Sequence, residues 1–162
     1  MKETNFIFCF LFAVGLSAFF TSCGSTDPVT YNNELMTIMN NNEKDMNDMN
    51  TAMATQDYAK AETVRKTWEH DLEKAIEKSA NITALKGDEG LKAAVDQGLK
   101  GYQNIATDDY KQLIELRTKE KNGDASVQPQ IKATLDKINK SFEEIATNVN
   151  KATNAFEKKY AK

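Results

Sequence analysis

The chain reads as all-α: an elongated four-helix bundle of two antiparallel hairpins, the second longer, behind a leader that is removed. Three observations carry that expectation. Helix formers such as Lys, Glu, Ala, Leu, Met and Gln dominate residues 31–162. Apolar residues recur every three or four positions over long stretches, and no alternation of polar and β-branched residues is long enough for a strand. The two prolines, Pro28 and Pro129, fall outside the periodic stretches.

The leader occupies residues 1–22. Lys2 precedes an apolar run of 15 residues, Phe6 to Phe20, which Thr21-Ser22-Cys23-Gly24 follow. As a helix the run would span about 22 Å, short of the roughly 30 Å of a hydrocarbon core. It therefore reads as a secretory signal rather than a permanent span. Glu3 weakens the positive start, which rests on Lys2 and the terminal amine. The segment ending at Cys23 resembles the lipobox of bacterial lipoproteins, with Ser22 in the small-residue slot and Phe20 where an aliphatic residue is commoner. The resemblance implies acylation of Cys23. Cys9 leaves with the leader, so Cys23 has no partner for an internal disulfide, and a lipid gives it a purpose. More than one acyl chain makes such anchoring stable. The competing reading is an ordinary signal cut at Ala18 or Ser22 that leaves a free thiol.

Residues 23–30 are read as the lipidated cysteine and a short tether, and 31–162 as one helical domain. A tether of this length keeps the folded part close to the membrane. Gly24 after the cysteine implies, by resemblance to the enterobacterial sorting scheme, delivery to the outer membrane.

The first helix is expected from Asn32 to Ala54. Leu35, Met39, Asn42, Met46, Met49 and Met53 form a heptad seam with one polar intruder, Asn42. Its many asparagines make it the least stable helix by propensity. Thr55-Gln-Asp57 makes a turn, and Asp57 caps a second helix from Tyr58 to about Ser79. So short a turn forces a hairpin. Lys86-Gly-Asp-Glu-Gly90 is the strongest break, with Gly87 as a stop and Asp88 as a start. A third helix is expected from Glu89 to Lys121, within which Thr107-Asp-Asp109 offers an alternative restart or kink. Gly98 and Gly101 inside it are tolerable if another helix passes closely. Asn122 to Ser126 is a turn whose Ser126 caps a fourth helix from Val127 to Tyr160, with Pro129 in its first turn. Its apolar residues, from Val127 to Tyr160, repeat every three or four positions without a miss. Ala54-Thr-Gln-Asp-Tyr58 and Ala106-Thr-Asp-Asp-Tyr110 hint at a duplication, or else reflect two helix starts drawing on the same residue types.

Composition excludes several chemistries. With 21 basic and 24 acidic residues the net charge is −3, and no basic face for nucleic acid is visible. The single histidine, His70, has Thr67 rather than glutamate three residues before it, which removes a di-iron bundle site. It reads as an exposed or half-exposed helix residue. No nucleophile elbow, phosphate-cradling loop or calcium loop occurs. Carboxylate pairs such as Asp108-Asp109 and Glu143-Glu144 read as solvated charges with i,i+4 partners. Thioethers bind soft Cu(I), but four of the five helix-1 methionines lie on the core seam, where methionine fills gaps. Only Met36 lies off it. No metal, no cofactor and no enzymatic activity are expected.

Five residues stand out as partner or pocket contacts: Arg65, Trp68, Tyr102, Tyr110 and Arg117. The plainer reading has the arginines snorkelling from the stripe edge and the aromatics packing.

Tyr31-Asn32, the Met-rich first helix, Asp57-Tyr58, Trp68, Lys86-Gly-Asp88 and Asp109-Tyr110-Lys-x-Leu-Ile114 together resemble a family of uncharacterised bacterial surface lipoproteins of spirochaetes and Bacteroidetes. That resemblance implies a lipid-anchored helical protein on or near the cell surface and supplies no catalytic residues. The expectation is an envelope lipoprotein that acts through protein contacts. The alternative is a small-ligand or metal carrier using the space between the hairpins, with Met39, Met46 or the Arg65/Arg117 pair as contacts.

Overall fold

The computed structural model describes residues 27–161, so the leader, Cys23 and the residues before Asp27 lie outside the described residues. Every regular element among the described residues is helical, and four rods make an all-α bundle. The first rod is α1 (Pro28–Asn40) and α2 (Glu43–Ala54). The second is α3 (Tyr58–Ala80). The third is α4 (Leu91–Asn104) and α5 (Tyr110–Lys121), joined by a π-helical turn at Ile105–Asp109. The fourth is α6 (Gln128–Tyr160), 33 residues and about 50 Å long. None of these helices is long and apolar enough to cross a membrane.

The rods run up, down, up, down. α2 packs on α3, α3 on α4 and α5, and both of these on α6, while α1 closes the bundle against α4. α3 has 23 residues against 33 in α6, so the second hairpin is the longer. The 81–90 loop makes up the difference, laying Ile82 and Leu85 against the core where α3 stops.

The first helix starts earlier than the sequence reading placed it. Asp27 accepts the amide of Thr30 at 2.9 Å and Pro28 takes a first-turn position. An aspartate cap followed by proline is a strong start signal. Pro28 to Thr30 therefore belong to the helix, not the tether. The same rod is broken at Asn41-Asn42, where one continuous helix was expected. Buried Asn42 turns its amide onto the carbonyls of Ile38 (3.3 Å) and Met39 (3.1 Å). A side chain that competes for main-chain carbonyls offers the backbone an alternative to helix. Met36, expected off the seam, is buried with Leu35 and Met39.

The other turns follow local chemistry. Asp57 caps α3 through the Lys60 amide at 3.0 Å, as expected. Asp88 accepts the amides of Gly90 and Lys92, and α4 begins at Leu91 rather than Glu89. A 3-10 turn, Ala125–Val127, leads into α6; Asp124 caps that turn by accepting both the amide and the hydroxyl of Ser126, and α6 itself has no side-chain cap. Ser126, expected to cap, is a donor there. The two resembling segments have unlike structures: Thr55 to Asp57 is an interhelical turn with Gln56 at φ 55°, whereas Ala106 to Asp109 lies in the π turn. The structure gives no support to a duplication.

Asp45, in the first turn of α2, is buried. Burial first, then the charge of Asp71 on α3, raise its carboxyl above the usual range. A carboxyl that holds its proton more tightly folded than unfolded weakens the fold while it is ionised. The penalty is fully present at neutral pH. It fades as pH falls through the raised folded value and is gone below the unfolded value of about 3.9. Asp45→Asn is expected to raise the melting temperature at pH 7, with the gain vanishing near pH 3. Thermal melts across that range check it, and a loss at pH 7 would mean that the favourable helix-dipole interaction outweighs the burial.

Candidate functional site

The irregular features of the chain meet at one level of the bundle. Trp68, in the middle of α3, is 0 % exposed and touches all the other rods. Its ring lies 6.4 Å from Tyr102 of α4, 5.9 Å from Tyr110 of α5 and 6.5 Å from Phe142 of α6, the last stacked at 6°. Its indole N–H donates to the carbonyl oxygen of the Asn42 side chain at 3.1 Å. Asn42 thus uses its amide on the broken rod and its oxygen on Trp68. The polar residue on the apolar seam is there because it has a partner across the bundle.

Arg65 lies one turn before Trp68 and is 6 % exposed. The plainer reading of the sequence had it snorkelling to solvent, and it does not. Its guanidinium donates twice to Glu62 (2.8 and 2.9 Å), once to Glu69 (3.0 Å) and, at 3.4 Å, to the Ala106 carbonyl inside the π turn. Four of the five N–H bonds of the fork are engaged. The Arg65 guanidinium holds the Glu62 carboxyl below its ordinary value.

At the place where the sequence offered a restart or kink, near Thr107, the rod carries a π turn. The amide of Tyr110 bonds the Ile105 carbonyl, an i+5 bond that absorbs one extra residue without ending the rod. It also places Asp109 inside. Asp109 is 3 % exposed and accepts from Lys137 of α6 at 2.6 Å. Asp108 is exposed, as the solvated reading had it, but has Asn104 and Gln112 at its i,i+4 positions and so no cation there, whereas for Asp109 the solvated reading fails. Glu143 and Glu144 are exposed as expected, Glu144 with Lys140 at i,i+4.

Of the five residues singled out from the sequence, Arg65, Trp68, Tyr102 and Tyr110 converge on this layer. Burial pushes the hydroxyls of Tyr102 and Tyr110 up to about 12, so both stay neutral at physiological pH. Arg117 lies apart, half-buried on α5 with Glu120 at 2.9 Å. Sequence reasoning missed Asn42, Asp109 and Lys137 as members. An asparagine on an apolar seam was the available signal for the first; no local signal pairs residues 28 positions apart.

Two surface concavities of about 400 Å³ flank the layer. One lies between α3 and α5 over Ile114, beside Glu62, Lys111 and Glu115. The other runs along α4 and α6 over Gly98, Gly101 and Ile145, beside Asp109 and Lys137. Met39, Met46, Arg65 and Arg117, the contacts expected of a carrier, line neither. Met39 and Met49 are core residues and Met46 and Met53 pack against that core. His70 is exposed, its ring 3.6 Å from Glu73. The described residues contain no group of three or more His, Cys, Asp or Glu side chains placed to hold a metal ion.

Chemically, the layer is a clamp. An indole, two neutral phenols, a guanidinium with four of its five N–H bonds engaged and a buried carboxylate paired with the exposed Lys137 hold four rods in register and offer no paired nucleophile and base. Comparison with protein-family models, curated proteins and solved structures gives no match.

Proposed function

We propose that the chain is a lipid-anchored protein of the bacterial cell envelope, held at the outer membrane by acyl groups on Cys23. In this reading the bundle is a non-enzymatic interaction or structural module that meets a protein partner through its outer faces. The observation that carries the second half is the filled middle of the bundle. Trp68, Tyr102, Tyr110 and Phe142 occupy the space between the hairpins where a carrier would hold its ligand. What remains for recognition is the surface, rich in interspersed charges. The leader and the resemblance to surface lipoproteins support the first half.

Metabolic labelling with a fatty-acid analogue tests the anchor. The native chain is expected to take up label and to pellet with membranes, and Cys23→Ala to do neither. Label retained by Cys23→Ala would remove the basis for the localisation.

A further inference from the structure

Three segments distant in sequence form one end of the bundle. The Tyr31 hydroxyl near the start of α1 donates to Asp88 of the 81–90 loop at 2.9 Å. The Tyr31 ring lies 5.9 Å from Phe156 of α6, which packs on Tyr160. The Tyr160 hydroxyl donates to the Lys86 carbonyl at 3.1 Å, and Lys159 pairs with Glu89. The far end is equally defined: Lys121 at the end of α5 donates to the Gln56 carbonyl in the α2–α3 turn at 2.9 Å. α6 runs from one end to the other, about 50 Å.

The near end has two properties that the far end lacks. It carries Val29, 42 % exposed, the exposed large hydrophobic residue among those described. It also carries the start of α1, and the Asp27 cap leaves only four residues from Cys23 to the folded chain. Four residues reach at most about 14 Å. The Asp27 corner therefore cannot be far from the bilayer, and an apolar side chain beside it gains by entering the interface.

Building on the lipid-anchor reading, the geometry points to an end-on orientation: the face made by Val29, the 81–90 loop and the last turn of α6 rests on the lipid headgroups. The turns at 55–57 and 122–126 are then held about 50 Å away, where a partner meets them first. The near end carries both signs, Lys86 and Lys158 against Asp27 and Glu157, so the contact rests on the tether and Val29 and not on lipid charge.

The native acylated protein has no free thiol once Cys23 is modified and Cys9 is gone. Single reporters at Lys158→Cys, Thr37→Cys, Lys140→Cys and Asn122→Cys, all exposed positions, can each carry a bimane. The proteins are reconstituted in phosphatidylcholine vesicles with a nitroxide on the headgroup. Quenching is expected to be strong at 158, several-fold weaker at 37 and 140, and absent at 122. Quenching at 37, 140 or 122 as strong as at 158 would overturn the orientation, because the bundle would then lie flat or point the other way. Intact mass on the same samples separates the two ideas. Acylated protein with a quenched position 122 defeats the orientation alone, whereas protein without acyl mass defeats the anchor and the orientation with it.

Discussion

Trp68→Ala is expected to destabilise the bundle by about 3–5 kcal/mol, the range for deleting a large buried aromatic side chain. Domains of this size are stable by about 5–15 kcal/mol, so the loss is a large fraction of the whole. Two terms contribute. The first is the cavity: the indole contacts Tyr102, Tyr110 and Phe142, each on a different helix, and no single side chain can move in to replace it. The second is polar: the Asn42 side chain, 2 % exposed, loses the donor for its carbonyl oxygen, and an unmet buried acceptor costs about 1–3 kcal/mol. Trp68→Phe separates them. It keeps an aromatic ring against Phe142 but removes the N–H, so it should cost distinctly less than alanine, and most of that cost should disappear in Asn42→Leu. Urea titration followed by circular dichroism reads all three variants. A loss below 1 kcal/mol for Trp68→Ala would show that the layer is not what holds the rods together.

Gly101→Val is expected to cost about 2–3 kcal/mol, and Gly101→Ala to destabilise too, against helix propensity. Alanine in a helix interior is favoured over glycine by about 1 kcal/mol. Packing opposes it: a Cβ on Gly101 would lie 2.7 Å from Cδ1 and 3.0 Å from Cγ1 of Ile145. Cδ1 can rotate away. Cγ1 cannot, because a β-branched side chain in a helix is held in one χ1 rotamer. α4 and α6 must then part, and overpacking of this kind costs about 1–3 kcal/mol. The propensity gain is the smaller term for alanine and clearly so for valine. Ile145→Ala removes both Cγ1 and Cδ1, so Gly101→Ala should be better tolerated in that background; a double-mutant cycle from chemical denaturation reads the coupling. A Gly101→Ala protein more stable than the native one would mean that the helices separate at no cost. A Cβ on Gly98, three residues earlier, would lie 3.0 Å from Cε of Met39 and 3.2 Å from Cγ2 of Ile145. The two glycines form the strip on which the third and fourth rods touch, as their tolerance in a helix interior required.

Sequence and structure agree most closely for α3 and α6. Tyr58–Ala80 and Gln128–Tyr160 match their expected bounds within about a residue. Both have an unbroken apolar stripe, and an aspartate caps the start of α3 and the short 3-10 turn that leads into α6; these are local features. The first and third rods departed from the reading at Asn42 and at Ile105–Asp109. In each case the residue that decided the outcome answers to a partner on another rod: Trp68 for Asn42, Arg65 and Lys137 for the π turn. Of the candidate site, the aromatic members were legible because large apolar rings on a stripe must be buried together. Arg65 was legible as a residue on the stripe edge but not as a buried one. Its burial depends on Glu62 and Glu69, both on its own helix, and on a carbonyl 41 positions away.

The sequence by itself determined the helical class, the two hairpins and the turns between them, since periodicity, caps and glycines act over a few residues. It also carries the leader that places Cys23 at a membrane in the reading proposed above. Tertiary structure alone decided where Met36 and Asp109 lie, why the first rod breaks, and which glycines serve contact between rods. Those outcomes turn on which side chains meet across the bundle, and hydrogen-bond partners brought together from distant positions leave no period in the chain.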